Sequence, residues 1–188
     1  MNDDHDPDLL QVREAMRKGE VKKAISILTD MMSDPERRSA AAYTLGIVYD
    51  CETELADSNL AKEYYSIAET YGYELATYRI AGILQREGNL SDAFTRFKEI
   101  HTTNPSAAYW CYKIAVSNPT LLNEFEGYRK YLSEAARNGH ILAKRDDIFK
   151  RLKGRDGVLD IFVAAISFVR LFFQARAAVA SKNKMLYQ

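Results

Sequence analysis

Apolar residues recur at intervals of three and four along almost the whole chain. Ala61, Tyr64, Tyr65 and Ala68 share one helical face, as do Ala93, Phe94 and Phe97, and that spacing places a single buried stripe on an amphipathic helix. No segment alternates polar and apolar residues long enough to predict a strand. Punctuation between the stripes is dense. Asp8, Asp34-Pro35, Asp57, Asn89, Asn104-Pro105 and Asn118-Pro119 read as helix starts, because a short side-chain oxygen satisfies an amide that has no partner inside the helix. Gly19, Gly72, Gly88 and Gly139 read as stops, where the chain needs the left-handed conformation. The pattern predicts about ten helices in antiparallel pairs, an all-α chain.

The pairs repeat. A shift of 35 residues lays Ala41, Tyr43, Leu45 and Gly46 on Ala76, Tyr78, Ile80 and Ala81, and a further 34 lays Tyr78, Ile80 and Ala81 on Tyr112, Ile114 and Ala115. A shift of 67 places Tyr64, Ala68, Gly72 and Ala76 on Tyr131, Ala135, Gly139 and Ala143, and Gly19 and Ala24 precede Gly88 and Ala93 by 69. Matches at multiples of one unit near 34 to 36 signify stacked helical hairpins. Small residues at Gly46, Ala81 and Ala115 let neighbouring helices approach, while Tyr and Leu fill the gaps.

The stretch AAAYTLGIVYD followed by DSNLAKEYYSIAETYGYELATYRIAGIL, within Ser39–Leu84, resembles the Sel-one-like repeat, a relative of the tetratricopeptide repeat. YLSEAARNGHILAK, from Tyr131 to Lys144, is similar to the end of such a unit, and GEVKKAISIL and GNLSDAFTRF resemble ordinary tetratricopeptide second helices. Ala81 and Ala115 stand where that family has Gly. The repeat offsets, with which the resemblance agrees, imply a right-handed α-solenoid of about five antiparallel hairpins over residues 9–153. The acidic run at 1–8 reads as a cap before the first helix, and 154–188 as an apolar C-terminal helix and tail. The resemblance also implies a protein–protein scaffold or adaptor, with a peptide or helix of another protein in the concave groove. Equivalent first-helix positions line that groove in the resembled family. They fall here on Tyr43, Tyr78 and Tyr112, with Asp50, Gln85 and Arg86 nearby and Arg145 at the matching place in the last unit. Two readings of the tyrosines stay open: packing between repeats, or a ladder of amphipathic contacts for a partner.

Composition narrows the classes further. Only 9 Gly and 4 Pro among 188 residues argue against a turn-rich all-β fold. The 26 basic and 26 acidic side chains cancel, which removes a global drive toward nucleic acid. Two cysteines, Cys51 and Cys111, build no disulfide framework and read as buried, inert thiols in helices. The start MNDDHDPDLL is acidic, unlike a signal peptide, so a cytoplasmic protein is expected. His5, His101 and His140 lie far apart, and no CxxC, HExxH, phosphate loop or nucleophile elbow occurs. No catalytic residue, metal or cofactor is therefore expected.

The end of the chain departs from this pattern. Val158–Ala180 is far more apolar than any earlier segment, with Asp160, Ser167 and Gln174 on a narrow polar stripe beside Arg170. A helix of that length reaches about 35 Å, enough for a bilayer core of about 30 Å, yet Arg170 near its middle makes insertion marginal. A basic run that includes Lys144, Arg145, Lys150, Arg151, Lys153 and Arg155 precedes it, as in a solvated helix face or a contact with anionic lipid at the cytoplasmic side of a membrane. Leu159, Phe162, Ile166, Val169, Phe172 and Phe173 are the residues expected to meet a second copy of the chain, another protein or a membrane surface.

Overall fold

The computed structural model describes residues 6–51, 55–118, 127–152, 163 and 165–172. Among these, nine α-helices follow one another: α1 Pro7–Arg17, α2 Val21–Met31, α3 Arg38–Asp50, α4 Ser58–Thr70, α5 Glu74–Arg86, α6 Leu90–Glu99, α7 Pro105–Ser117, α8 Arg129–Arg137 and α9 Ile141–Leu152. Helical backbone recurs at 163 and 165–172. The described chain is all-α, as its periodicity predicts.

Local chemistry accounts for most boundaries. The Asp57 carboxylate accepts the amides of Asn59 and Leu60 at 2.9 and 3.0 Å, and the Asn104 amide oxygen accepts those of Ser106 and Ala107 at 3.0 and 3.2 Å. Pro105 then occupies the first turn, where its missing N–H costs nothing. The first cap is Asp6 rather than Asp8, with Pro7 opening α1. Asp34-Pro35 opens no helix. Asp34 instead accepts the Glu36 amide at 3.0 Å within a turn, and α3 begins at Arg38. At the stops, Gly88 and Gly139 have φ of +82° and +98°, which a Cβ would disfavour. The expected start at Asn118-Pro119 and the acids Asp3 and Asp4 lie outside the described residues.

The chain divides into two compact units, Met1–Arg96 and Phe97–Gln188. In the first, α1 packs on α2, α2 on α3, α3 on α4 and α4 on α5, the sequential pairing of a helical repeat. Its core forms in layers. Val12, Ala15, Leu28, Leu45 and Val48 pack with neighbours in one cluster, and Ala42, Tyr65, Ile80 and Ile83 in the next. Helix α3 serves both, which explains why Ala41 and Ala42 are buried side by side. Burying a side chain such as Leu45 contributes about 1.5–3 kcal/mol. A polar node ties α4 to α5 and α6: Glu69 accepts from buried Thr77 at 2.6 Å and pairs with Arg96 at 3.2 Å.

In the second unit α7 packs on α8 and α8 on α9. Phe97, in the last turn of α6, stacks on Trp110 with centroids 6.3 Å apart. The helical stretch at 165–172 rests on α9 through Leu171 against Ile148 and Phe168 against Phe149. Most of the long apolar helix expected over Val158–Ala180 lies outside the described residues, including Leu159, Phe162 and Phe173. Among the described residues, no helix is long and apolar enough to cross a membrane. The cysteine expectation also needs correcting. Cys111 is buried within α7, but Cys51 follows the last turn of α3 and is exposed.

Candidate functional site

Tyr43 and Asp50 stand two turns apart on α3, and Arg79 and Arg86 stand two turns apart on α5. The spacing of seven matches on both helices, so the four side chains meet as two rungs. Arg79 Nε donates to the Tyr43 hydroxyl at 3.5 Å, and Arg86 Nη2 pairs with Asp50 Oδ1. Tyr65 of α4 donates its hydroxyl to Asp50 Oδ2 at 3.4 Å, so each carboxylate oxygen has a donor. The Asp50 side chain is only 9% exposed while that of Arg86 is 60% exposed. Positive charge is thereby presented outward over a screened carboxylate.

The Tyr43 ring packs between Tyr65 and Tyr73, at centroid distances of 5.7 and 4.6 Å. Burial beside Asp50 pushes the Tyr65 phenol well above the usual tyrosine range, so it stays a donor. The hydrogen bond to Tyr43 raises the Arg79 guanidinium further above neutrality. Tyr78 and Gln85 are half-buried on α5, one residue before each rung arginine. Of the residues that the resemblance assigned to a groove, Tyr43, Asp50 and Arg86 are thus joined in this unit, with Tyr78 and Gln85 alongside. Arg79 was not singled out by the repeat. Contact falls at a separation of 36 residues, one beyond the offset that aligns Tyr43 with Tyr78.

The other candidates, Tyr112 and Arg145, belong to the second unit, on α7 and α9. Here Tyr109, one turn before Tyr112, donates its hydroxyl to Asp146 Oδ2 at 2.8 Å, and Arg145 pairs with Asp146 Oδ1 at 2.8 Å. Burial and the bond to Asp146 push the Tyr109 phenol up to about 12. His140, the residue before α9, stacks on Tyr109 with centroids 4.5 Å apart, and its Nδ1 accepts the Ala143 amide at 3.2 Å. Desolvation lowers the His140 pKa, with Asp146 opposing the shift. Tyr112 stacks on Tyr128 at 6.4 Å, and the Arg129 guanidinium lies 5.8 Å from the Tyr128 centroid. Tyr112, Val116, Tyr128, Arg129, Asp146, Phe149 and Lys150 enclose an open cleft of about 520 Å³. The tyrosine offset leads to Tyr112 but carries no trace of Tyr109, Tyr128 or Asp146, whose only sign is position one turn away or beside a repeat residue.

Of the other described candidates, His101 and Cys111 are held by their surroundings, while Cys51 is exposed. His101 Nδ1 lies 2.8 Å from the Lys98 carbonyl, just past α6, and its ring meets Tyr131 edge-on. Burial pushes the Cys111 thiol up to about 12. Among the described residues, no group of three His, Cys, Asp or Glu side chains converges as metal ligands would. No protein-family model matches the chain, and neither does a curated protein or a solved structure.

Proposed function

We propose that the chain is a non-enzymatic protein–protein interaction scaffold of the tetratricopeptide or Sel-one-like kind, holding a peptide or helix of another protein on its tyrosine-bearing helix faces. The observation that carries this reading is the pair of rungs between α3 and α5, Tyr43–Arg79 and Asp50–Arg86. They rigidify a face of alternating aromatic and cationic groups, and rigid amphipathic side chains lose little entropy when a partner docks. The finer architecture, a right-handed solenoid of five hairpins, belongs to the same proposal. Tyr43, Asp50, Tyr78, Gln85 and Arg86 form the groove surface of the first unit, and Tyr112 and Arg145 contribute that of the second. The test is capture of partners from the native host by the full chain, repeated with Tyr78→Ala plus Arg86→Gln. Loss of a specific partner from a variant with unchanged circular dichroism supports the assignment, and equal affinity in both proteins refutes it.

A second reading is favoured by one observation near the C-terminus. Val163, Ile166, Val169 and Phe172 are all more than half exposed. Exposed apolar surface of this kind is what a second copy, another protein or a membrane surface covers. The adaptor would then be held at the cytoplasmic face of a membrane or in a homo-oligomer. Sedimentation of the full chain with and without lipid vesicles, beside Ile166→Glu plus Phe172→Glu, distinguishes these fates.

A further inference from the structure

The cleft of the second unit combines three aromatic rings, Tyr112, Tyr128 and Phe149, with the cations Arg129 and Lys150. Its carboxylate, Asp146, is already committed, since it accepts from Tyr109 and pairs with Arg145. Arg129 meets Tyr128 through its ring and its hydroxyl at 3.4 Å, and among the described residues neither Arg129 nor Lys150 forms an ion pair with an acidic side chain. Asp147, whose charge also reaches Tyr112, does not line the cleft. Among the described lining residues, what remains on offer is therefore net positive charge beside aromatic surface. Cations held over a partly apolar wall are less screened than cations in open water, and they favour an anion that brings its own apolar flank.

From this geometry we infer that the cleft binds a peptide segment of a partner protein in which an acidic side chain neighbours a large apolar one. The carboxylate lies with Arg129 and Lys150, and the apolar side chain lies against Tyr112, Val116 and Phe149. A volume of about 520 Å³ accommodates a few side chains of an extended segment. A cationic segment is disfavoured, because Asp146 is neutralised before it arrives. This inference rests on the scaffold reading and names the class of partner that one of its faces selects.

The test is titration calorimetry of the full chain with an acetylated, amidated peptide of alternating leucine and glutamate, beside counterparts carrying glutamine or lysine in place of glutamate. Capping both ends removes the terminal charges, so any preference reports side chains. Expected is binding of the glutamate peptide, weakened about tenfold or more in the glutamine counterpart and by added salt. Arg129→Glu plus Lys150→Glu should abolish it, and because both side chains reach solvent at the cleft, the circular dichroism spectrum should be unchanged. Equal binding of the glutamate and glutamine peptides, preference for the lysine peptide, indifference to the double substitution, or no binding at all overturns the inference. The scaffold reading fails separately, when substitution at Tyr78 and Arg86 leaves the captured partner's affinity unchanged.

Discussion

The ring of Tyr65 lies where a side chain on Gly46 would begin: a Cβ built there stands 2.5 Å from two ring carbons. Tyr65 is fully buried, so the ring has no open space to swing into. Gly46 therefore lets α3 approach α4. Gly82, in the middle of α5, has nothing within 4 Å of its would-be Cβ. The two glycines make a controlled comparison. Gly82→Ala should stabilise the protein by about 0.5–1 kcal/mol, the ordinary helix-propensity gain. Gly46→Ala receives the same gain but carries an overpacking cost of about 1–3 kcal/mol, and should be net destabilising. Urea unfolding checks both, and equal midpoints would refute the close-packing account of α3 on α4.

That glycine was visible in the sequence as a small residue at a repeat position, although its contact was not. What proved legible was whatever one residue or one helical face decides. Asp57 and Asn104 cap because their side chains reach their own backbone, and Gly72 and Gly139 turn because they lack a Cβ. Asp34-Pro35 misled because an Asp-Pro pair also suits a turn, and only the following chain decides between them. Of the two rung arginines, Arg79 was missed for a different reason, whereas Arg86 was among the expected groove residues. An offset of 35 aligns backbone positions, whereas Arg79 and Arg86 sit one residue further along and meet α3 through long side chains. His140 was invisible as a cap because a ring nitrogen seldom plays that part.

Arg37 and Asp6 anchor the first helix from a distance of 31 residues. Arg37 donates from Nε and Nη2 to the two Asp6 carboxylate oxygens at 2.9 and 2.8 Å, while Asp6 also caps α1. Burial alone would raise the Asp6 carboxyl, but Arg37 and the amides of Asp8 and Leu9 outweigh it and hold it below the usual range. Arg37→Ala should cost about 1.5–3 kcal/mol, the worth of hydrogen bonds to a charged group. Because the folded value is depressed, the contribution is present above the ordinary carboxylate range and is lost as pH falls through the folded value. Acid unfolding monitored by circular dichroism should therefore lose part of its pH dependence in the variant.

The two thiols should react in sequence. Cys51 is exposed, whereas Cys111 is fully buried in α7 and its pKa is raised by desolvation. A thiol-specific chromogenic reagent at neutral pH should titrate a single thiol in the native protein and the second only on unfolding. Cys51→Ser should abolish the native reaction. Prompt modification of Cys111 in native protein would contradict the packing of α7 against α8.

His140 makes the second unit sensitive to mild acid. Its Nδ1 accepts the Ala143 amide at the start of α9, and only an unprotonated nitrogen can accept. The groups facing the ring are Tyr109 on α7, stacked on it, and Asp146 on α9, whose charge favours the protonated form. Desolvation is the larger influence and lowers the pKa below its unfolded value of about 6.5. The unfolded chain therefore binds the proton more readily than the folded one. Stability is full above the unfolded value, declines as pH drops from there toward the lower folded value, and is flat for this group below it. His140→Asn tests the sign. An asparagine oxygen can accept the same amide without titrating, and removing a cap altogether costs about 1 kcal/mol. The variant should match the wild type near neutrality within that margin and lose less stability between neutral and mildly acidic pH. His101 is present in both proteins, so the difference isolates His140. Parallel pH profiles would show that the imidazole does not hold the start of α9.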